Sequence, residues 1–131
     1  MWVFLNNAFV SIVQHRDDSS LVLVRGRVDG DVQRFMGEHM PEGVKVERTP
    51  RADYLFRAIV PRAAVDAAMR EAVGGIDYGN FKDSVDDSAR HDAYTACWSA
   101  MYRLQLTQDV VQRARKIGQG YDDAASDVLG G

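Results

Sequence analysis

One cysteine, three prolines and three histidines in 131 residues set the first limits on this chain. With Cys97 alone, no intrachain disulfide and no cysteine-built zinc site is available, and the chain is consistent with a reducing compartment. An excess of positive charge is missing too. The 16 Lys and Arg stand against 19 Asp and Glu, a formal net charge of -3, which argues against a dedicated nucleic-acid binder whose affinity rests on neutralising phosphates. No apolar run approaches the roughly 20 residues that cross a bilayer. The apolar opening Met1 to Val13 lacks a basic leading region and is interrupted by Asn6 and Asn7, so a strand explains it better than a secretory signal. A cytoplasmic protein without membrane insertion is the expectation.

A phosphate-cradling loop is also lacking. The Walker pattern is absent, and Gly118-Gln119-Gly120 has neither the preceding strand nor the third glycine of a dinucleotide fold. Cys97 and His91 lie six residues apart on a helical segment and therefore about 120° apart around it, too far for a nucleophile and its base. Cys97 reads instead as a small buried hydrophobe. No cofactor is expected.

Hydrophobic residues make up 46% and charged residues 27%, values ordinary for a globular domain of this length. Trp2 to Val13 reads as one strand interrupted at Asn6-Asn7, and Asp17-Asp18-Ser19-Ser20 as a turn leading to a second strand, Leu21 to Val28. Period two puts Val22, Val24, Gly26 and Val28 on a core face and Leu21, Leu23, Arg25 and Arg27 on the other. A helix follows from Asp29 or Asp31 to about Met40, ended by Pro41-Glu42-Gly43. Val44 to Thr49 and Tyr54 to Val60 alternate as a hairpin. Pro61 suits the first turn of a helix whose apolar stripe is Ala64, Val65, Ala68, Met69, Ala72 and Val73, closed by Gly74-Gly75.

The order predicts an α+β domain: two successive ββα units forming a four-stranded antiparallel sheet with helices on one face, plus a long C-terminal helix. That helix is expected from about Asp87 to Leu106, restarting to reach Ile117. Residues 1–117 form the expected domain and 118–131 an expected flexible tail.

Four constellations are candidates for function, each with a plainer structural alternative. Asp83, Asp86, Asp87 and His91 form the densest set of metal-ligand types, with Asp87 and His91 on one helix face; helix capping explains the same residues. An enzyme would have to use this region, with His91 as acid or base, and ranks last among the readings. Arg25, Arg27 and Arg57 can present a guanidinium row to nucleic acid, or simply solubilise a sheet face. Tyr78, Asn80, Phe81 and Lys82 form an aromatic loop between helices suited to recognition, or to plugging a gap while Asn80 bonds the turn backbone. Tyr94, Trp98 and Met101 recur at helical spacing beside a stripe of Ala93, Cys97, Ala100 and Leu104, so one stripe can meet the sheet and the other a partner protein.

Trp2-Val3-Phe4-Leu5-Asn6, Arg57-Ala58-Ile59-Val60-Pro61-Arg62, Tyr78-Gly79-Asn80-Phe81-Lys82 and His91-Asp92-Ala93-Tyr94 are the most distinctive strings. In them the chain resembles a family of short uncharacterised proteins of bacteria, notably actinobacteria, and their phages, over most of its length to about Leu106. The resemblance implies a bacterial or phage origin and brings no catalytic residue with it. The leading expectation is a protein-protein interaction module, phage-encoded and acting on a host protein in one version, with nucleic-acid binding through the arginine face as the alternative. A homodimer through the sheet edge or the last helix is compatible with either.

Overall fold

Asn6 and Asn7 do not bend one strand; they turn it back on itself. The computed structural model describes residues 1–129. In it the apolar opening forms two strands, β1 (Trp2–Leu5) and β2 (Ala8–Gln14), paired antiparallel with Trp2 opposite Ser11 and Leu5 opposite Ala8. The expected four-stranded sheet is therefore five-stranded, and the first unit is βββα rather than ββα. Paired asparagines suit a short hairpin as well as a bulge, and neither composition nor period separates the two.

β3 (Leu21–Gly26) pairs with β2 and with β5 (Phe56–Pro61), and β4 (Glu47–Arg48) pairs with β5, so the antiparallel order is β1-β2-β3-β5-β4. The valine face of β3 is buried as its alternation predicts, with Val22 and Val24 in the core, but Val28 lies beyond the strand and is exposed. β4 is far shorter than the expected Val44 to Thr49. Val44 and Val46 pack against the core instead of alternating across a ladder, and only Glu47 and Arg48 reach β5.

α1 (Asp31–Met36) and α2 (Arg62–Gly74) supply Val32, Phe35, Met36, Val65 and Ala68 to a core that they share with Val10, Ile12, Val22, Val24, Ala58 and Val60 of the sheet. α1 stops four residues before the expected Met40. Gly37 takes φ of +51°, where only glycine is comfortable, and a 3-10 turn over Gly37–His39 follows. His39 is tied to α2 by a 2.5 Å contact between its Nε2 and the Glu71 carboxylate. Pro61 sits one place earlier than expected, as the extended residue before α2. Val73, assigned to the apolar stripe, is 63% exposed in the last turn of that helix.

Two polar fastenings hold the sheet's turns to the helices. Asp31 is buried, and its carboxylate accepts the Phe9 N–H at 3.0 Å and an Arg34 N–H at 2.6 Å. Arg34 in turn donates to the carbonyls of Asn7 and Asp29. At the other end, Arg62 opens α2 by donating through Nε to Ser19 O and through its guanidinium to Gln14 Oε1, while its backbone N–H reaches Ser20 O. The β2–β3 turn it grips is itself closed by Asp18, which accepts both the hydroxyl and the backbone N–H of Ser20, and by His15 Nδ1, which accepts the N–H groups of Asp17 and Asp18.

α3 (Ser88–Leu129) is one unbroken helix where the composition predicts a stop near Leu106 and a tail from Gly118. No proline follows Pro61, and a glycine inside a helix costs about 1 kcal/mol without ending it. Gly130 and Gly131, the end of the expected tail, lie outside the described residues. The chain divides into two compact units, one over Met1–Asp87 that holds the sheet, α1 and α2, and one that begins at Ser88 with α3. Among the described residues no helix is long and apolar enough to cross a membrane.

Asp31→Ala removes a carboxylate on which a backbone N–H and a guanidinium depend, and it should lower unfolding free energy by about 2 to 4 kcal/mol in urea melts. Asp109→Ala, which breaks only the exposed pair with Arg113, should change it by about 0.5 kcal/mol or less. At the β2–β3 turn, the Ser20 hydroxyl and then its N–H hold the Asp18 carboxyl below the usual carboxylate range. That contribution is therefore present above the unfolded-state pKa and is lost as pH falls through the folded one. Ser20→Ala should move the Asp18 pKa up toward its ordinary value in an NMR titration.

Candidate interaction surface

The sheet face opposite the helices carries the arginine row, because residues paired across an antiparallel sheet share a side. Ser11, Arg25, Arg57 and Glu47 stand in one such cross-strand row. These arginines are engaged within the domain. Arg25 donates to Ser11 Oγ at 2.8 Å, and its guanidinium lies 4.5 Å from the centre of the Tyr54 ring. Arg27 covers the same ring at 4.1 Å while donating to the Asp53 carbonyl and carboxylate. Arg57 Nε donates to Thr49 Oγ1, whose hydroxyl in turn donates to the Tyr54 carbonyl. Tyr54 is thus buried between two cations, which favour its π face. The hydrogen bond with Asp53 raises the Arg27 pKa further, so the guanidinium stays charged. Alternation places Arg25 and Arg57, but it also put Tyr54 in the strand with Phe56, Ala58 and Val60, whereas β5 begins at Phe56 and Tyr54 lies in the bend before it.

The Tyr78 to Lys82 loop packs on itself. Tyr78 and Phe81 are both half-buried with ring centres 5.8 Å apart, and Asn80 Oδ1 accepts the Asp83 N–H, the turn bond that the structural reading of this loop expects. Lys82 begins a 3-10 turn over Lys82–Ser84 and is half-buried as well. Tyr78 also lines a cavity of about 220 Å³ together with Asn6, Asn7, Arg34 and Glu71. The cavity's two charged side chains are already engaged: Arg34 with Asp31, Asn7 and Asp29, and Glu71 with His39.

Asp83, Asp86, Asp87 and His91 do not converge. Among the described residues no three His, Cys, Asp or Glu side chains gather closely enough to hold a metal ion, and His91 Nδ1 lies 3.9 Å from the carboxylate of its chain neighbour Asp92. Helical spacing put Asp87 and His91 on one face, but Asp87 lies one residue before α3 begins at Ser88.

On α3 the expected roles of the two stripes change. Tyr94, placed on the partner-facing side, is buried at 7% exposure beneath the Arg90 guanidinium, which also donates to its hydroxyl. Ala93, Cys97, Ala100 and Leu104, expected to face the sheet, are all exposed, Cys97 among them despite its reading as a buried thiol. Trp98 and Met101 are exposed as expected, at 49% and 63%. Tyr102 joins them: its ring stacks on Trp98 with centroids 5.3 Å apart and planes 4° from parallel. With Leu104 and Gln105 these three side chains form a shallow apolar groove of about 350 Å³. The spacing i to i+4 from Trp98 was the available signal for Tyr102, hidden by the density of apolar residues on every side of this stretch.

Compared with protein-family models, curated proteins and solved structures, the chain matches none.

Tyr54→Phe should leave the arginine arrangement and stability nearly unchanged. Tyr54→Ala empties the space between Arg25 and Arg27 and should cost about 3 kcal/mol or more in denaturant melts, as large-to-small changes at buried aromatics do.

Proposed function

We propose that this protein is a protein-protein interaction module that binds its partner through the exposed aromatic face of α3 centred on Trp98. The observation that carries the reading is the stacked Trp98–Tyr102 pair beside Met101, three large side chains between 46% and 63% exposed within about one helical turn. Aromatics and methionine are the residue types that concentrate binding energy at interfaces, and a rigid stacked pair loses little rotamer entropy on docking. The Tyr78 to Lys82 loop is not needed for this reading, since its aromatics are engaged with each other. The resemblance to short bacterial and phage proteins supports a partner in the bacterial cytoplasm, a host protein where the chain is phage-encoded.

Nucleic-acid binding is the weaker reading. Arg25, Arg27 and Arg57 already have acceptors or a ring to hold them, and the overall charge is negative. Titration with single- and double-stranded oligonucleotides at low salt should show no saturable binding.

The direct test is affinity capture from bacterial lysate with the full chain and with Trp98→Ala, Met101→Ala, after circular dichroism shows both folded. A specific protein should be retained by the wild type and reduced at least tenfold with the variant, about 1.4 kcal/mol or more of lost binding. Identical partner sets from the two proteins, or none from either, overturn the reading.

A further inference from the structure

Downstream of the Trp98 groove α3 has no cover of its own. Between Ala96 and Asp123 every side chain is exposed except Ser99 and Val111, which are half-buried. Helices in water draw most of their stability from packing an apolar face, and one of 42 residues, about 63 Å long, has an unusual amount of face to pack. Thr107, Val111, Ala114, Gly118 and Tyr121 alternate at spacings of four and three, Val128 follows one heptad after Tyr121, and none carries a charge. That is the four-three spacing of a two-helix coiled-coil seam; Val110, Ala114, Ile117, Tyr121 and Val128 make a second stripe of the same spacing that shares three of its residues, so Val110 and Ile117 lie on one flank of the first. The other flank is charged, with Arg115 and Asp122 one heptad apart.

We propose that the occupant of this seam is the same helix of a second copy, running antiparallel. Two observations select that partner and that direction. The first is charge. Arg113, Arg115 and Lys116 make a basic band and Asp122 and Asp123 an acidic one; Arg113 pairs with Asp109, while Arg115, Lys116, Asp122 and Asp123 enter no ion pair among the described residues. Antiparallel packing sets one band of each helix against the opposite band of the other, and it brings Arg115 beside Asp122 of the second copy twice over, once on each side of the two-fold axis. Parallel packing sets like bands together and puts both charges against Val110 and Ile117.

The second observation is Gly118. Glycine inside a helix forfeits about 1 kcal/mol relative to alanine, and at this position an added Cβ meets nothing within 4 Å, so the single chain has no use for the missing side chain. In the register that aligns Arg115 with Asp122, Gly118 falls opposite Tyr121 of the second copy, and Val111 falls opposite Val128. Glycine then makes room for the ring, a small residue facing a large one at the centre of the interface. The seam lies beyond the Trp98 groove, so self-association and capture of another protein are separable properties of one helix.

Sedimentation equilibrium of the full chain over about 1 to 200 μM tests this. The wild type should approach a dimer, and Trp98→Ala, Met101→Ala should leave that unchanged. Arg115→Asp should weaken association at least tenfold, and adding Asp122→Arg should restore it, because the exchanged pair is still opposite in sign. Gly118→Leu should raise helicity by circular dichroism while weakening the dimer. Cys97 reports the direction: it lies two heptads before Val111, upstream of the seam but in line with it, so a parallel pair brings the two Cys97 side chains near each other and cross-links them readily in mild oxidant, whereas the antiparallel pair holds them apart. A monomer throughout the range, a dimer indifferent to Arg115→Asp and Gly118→Leu, or rapid cross-linking through Cys97 overturns the proposal.

Discussion

A single buried carboxylate holds the sheet domain in register with its helices. Asp31 opens α1, yet it does not act as the surface cap its position suggests. It accepts the N–H of Phe9 at the start of β2 and neutralises Arg34, which reaches on to the carbonyl of Asn7 in the β1–β2 turn. The first hairpin, the helix start and the arginine are thus one bonded unit. A buried carboxylate is tolerable only when its hydrogen bonds are satisfied, so the unit forms together or not at all. Val32, Phe35 and Met36, on the same short helix, follow Asp31 into the core. Arg62 repeats the device at the opposite end with weaker, exposed bonds, pinning the β2–β3 turn to the start of α2.

With those fastenings in place the sheet domain meets most of its own needs, although Arg25 Nε is buried without a hydrogen-bond partner among the described residues and Trp2, Ile59 and Ile76 stay exposed. Its helix face is filled, its arginine row is closed over Tyr54, and its aromatic loop is folded on its own rings. α3 differs: its apolar residues, Trp98, Met101, Tyr102, Leu104, Val110, Ile117 and Tyr121 among them, remain in solvent. Among the described residues α3 carries more of the exposed large apolar side chains than the sheet domain does, and it holds the exposed stacked pair Trp98–Tyr102, which is the reason recognition is assigned to it.

Much of the fold was legible where a residue type has one structural use. Alternating valines fixed the buried face of β3, the Pro61 and Gly74-Gly75 punctuation bounded α2, and the dense apolar pattern after Asp87 announced a long helix. It failed where one residue type serves two structures. Asn6-Asn7 suits a bulge or a hairpin, and the choice decided whether the sheet had four strands or five. Val44 and Val46 alternate like a strand but pack as a loop. At the surface, helical spacing correctly exposed Trp98 and Met101 and wrongly exposed Tyr94, because spacing assigns residues to stripes without saying which stripe is covered. The arginines alternated as expected, while Tyr54, which determines what they can do, was read as the start of the alternating strand and lies instead in the bend before β5. Glycine misled in α3, since Gly118 and Gly120 weaken a helix without breaking it.

The claim that α3 pairs with a second copy of itself is most directly tested by amide hydrogen exchange of the wild-type chain at low and high protein concentration. Amides from Thr107 to Asp123 should gain protection as concentration rises, while those of β2, β3 and β5 should exchange at an unchanged rate. Exchange in α3 that is independent of concentration, or protection that rises in the sheet instead, would contradict the account.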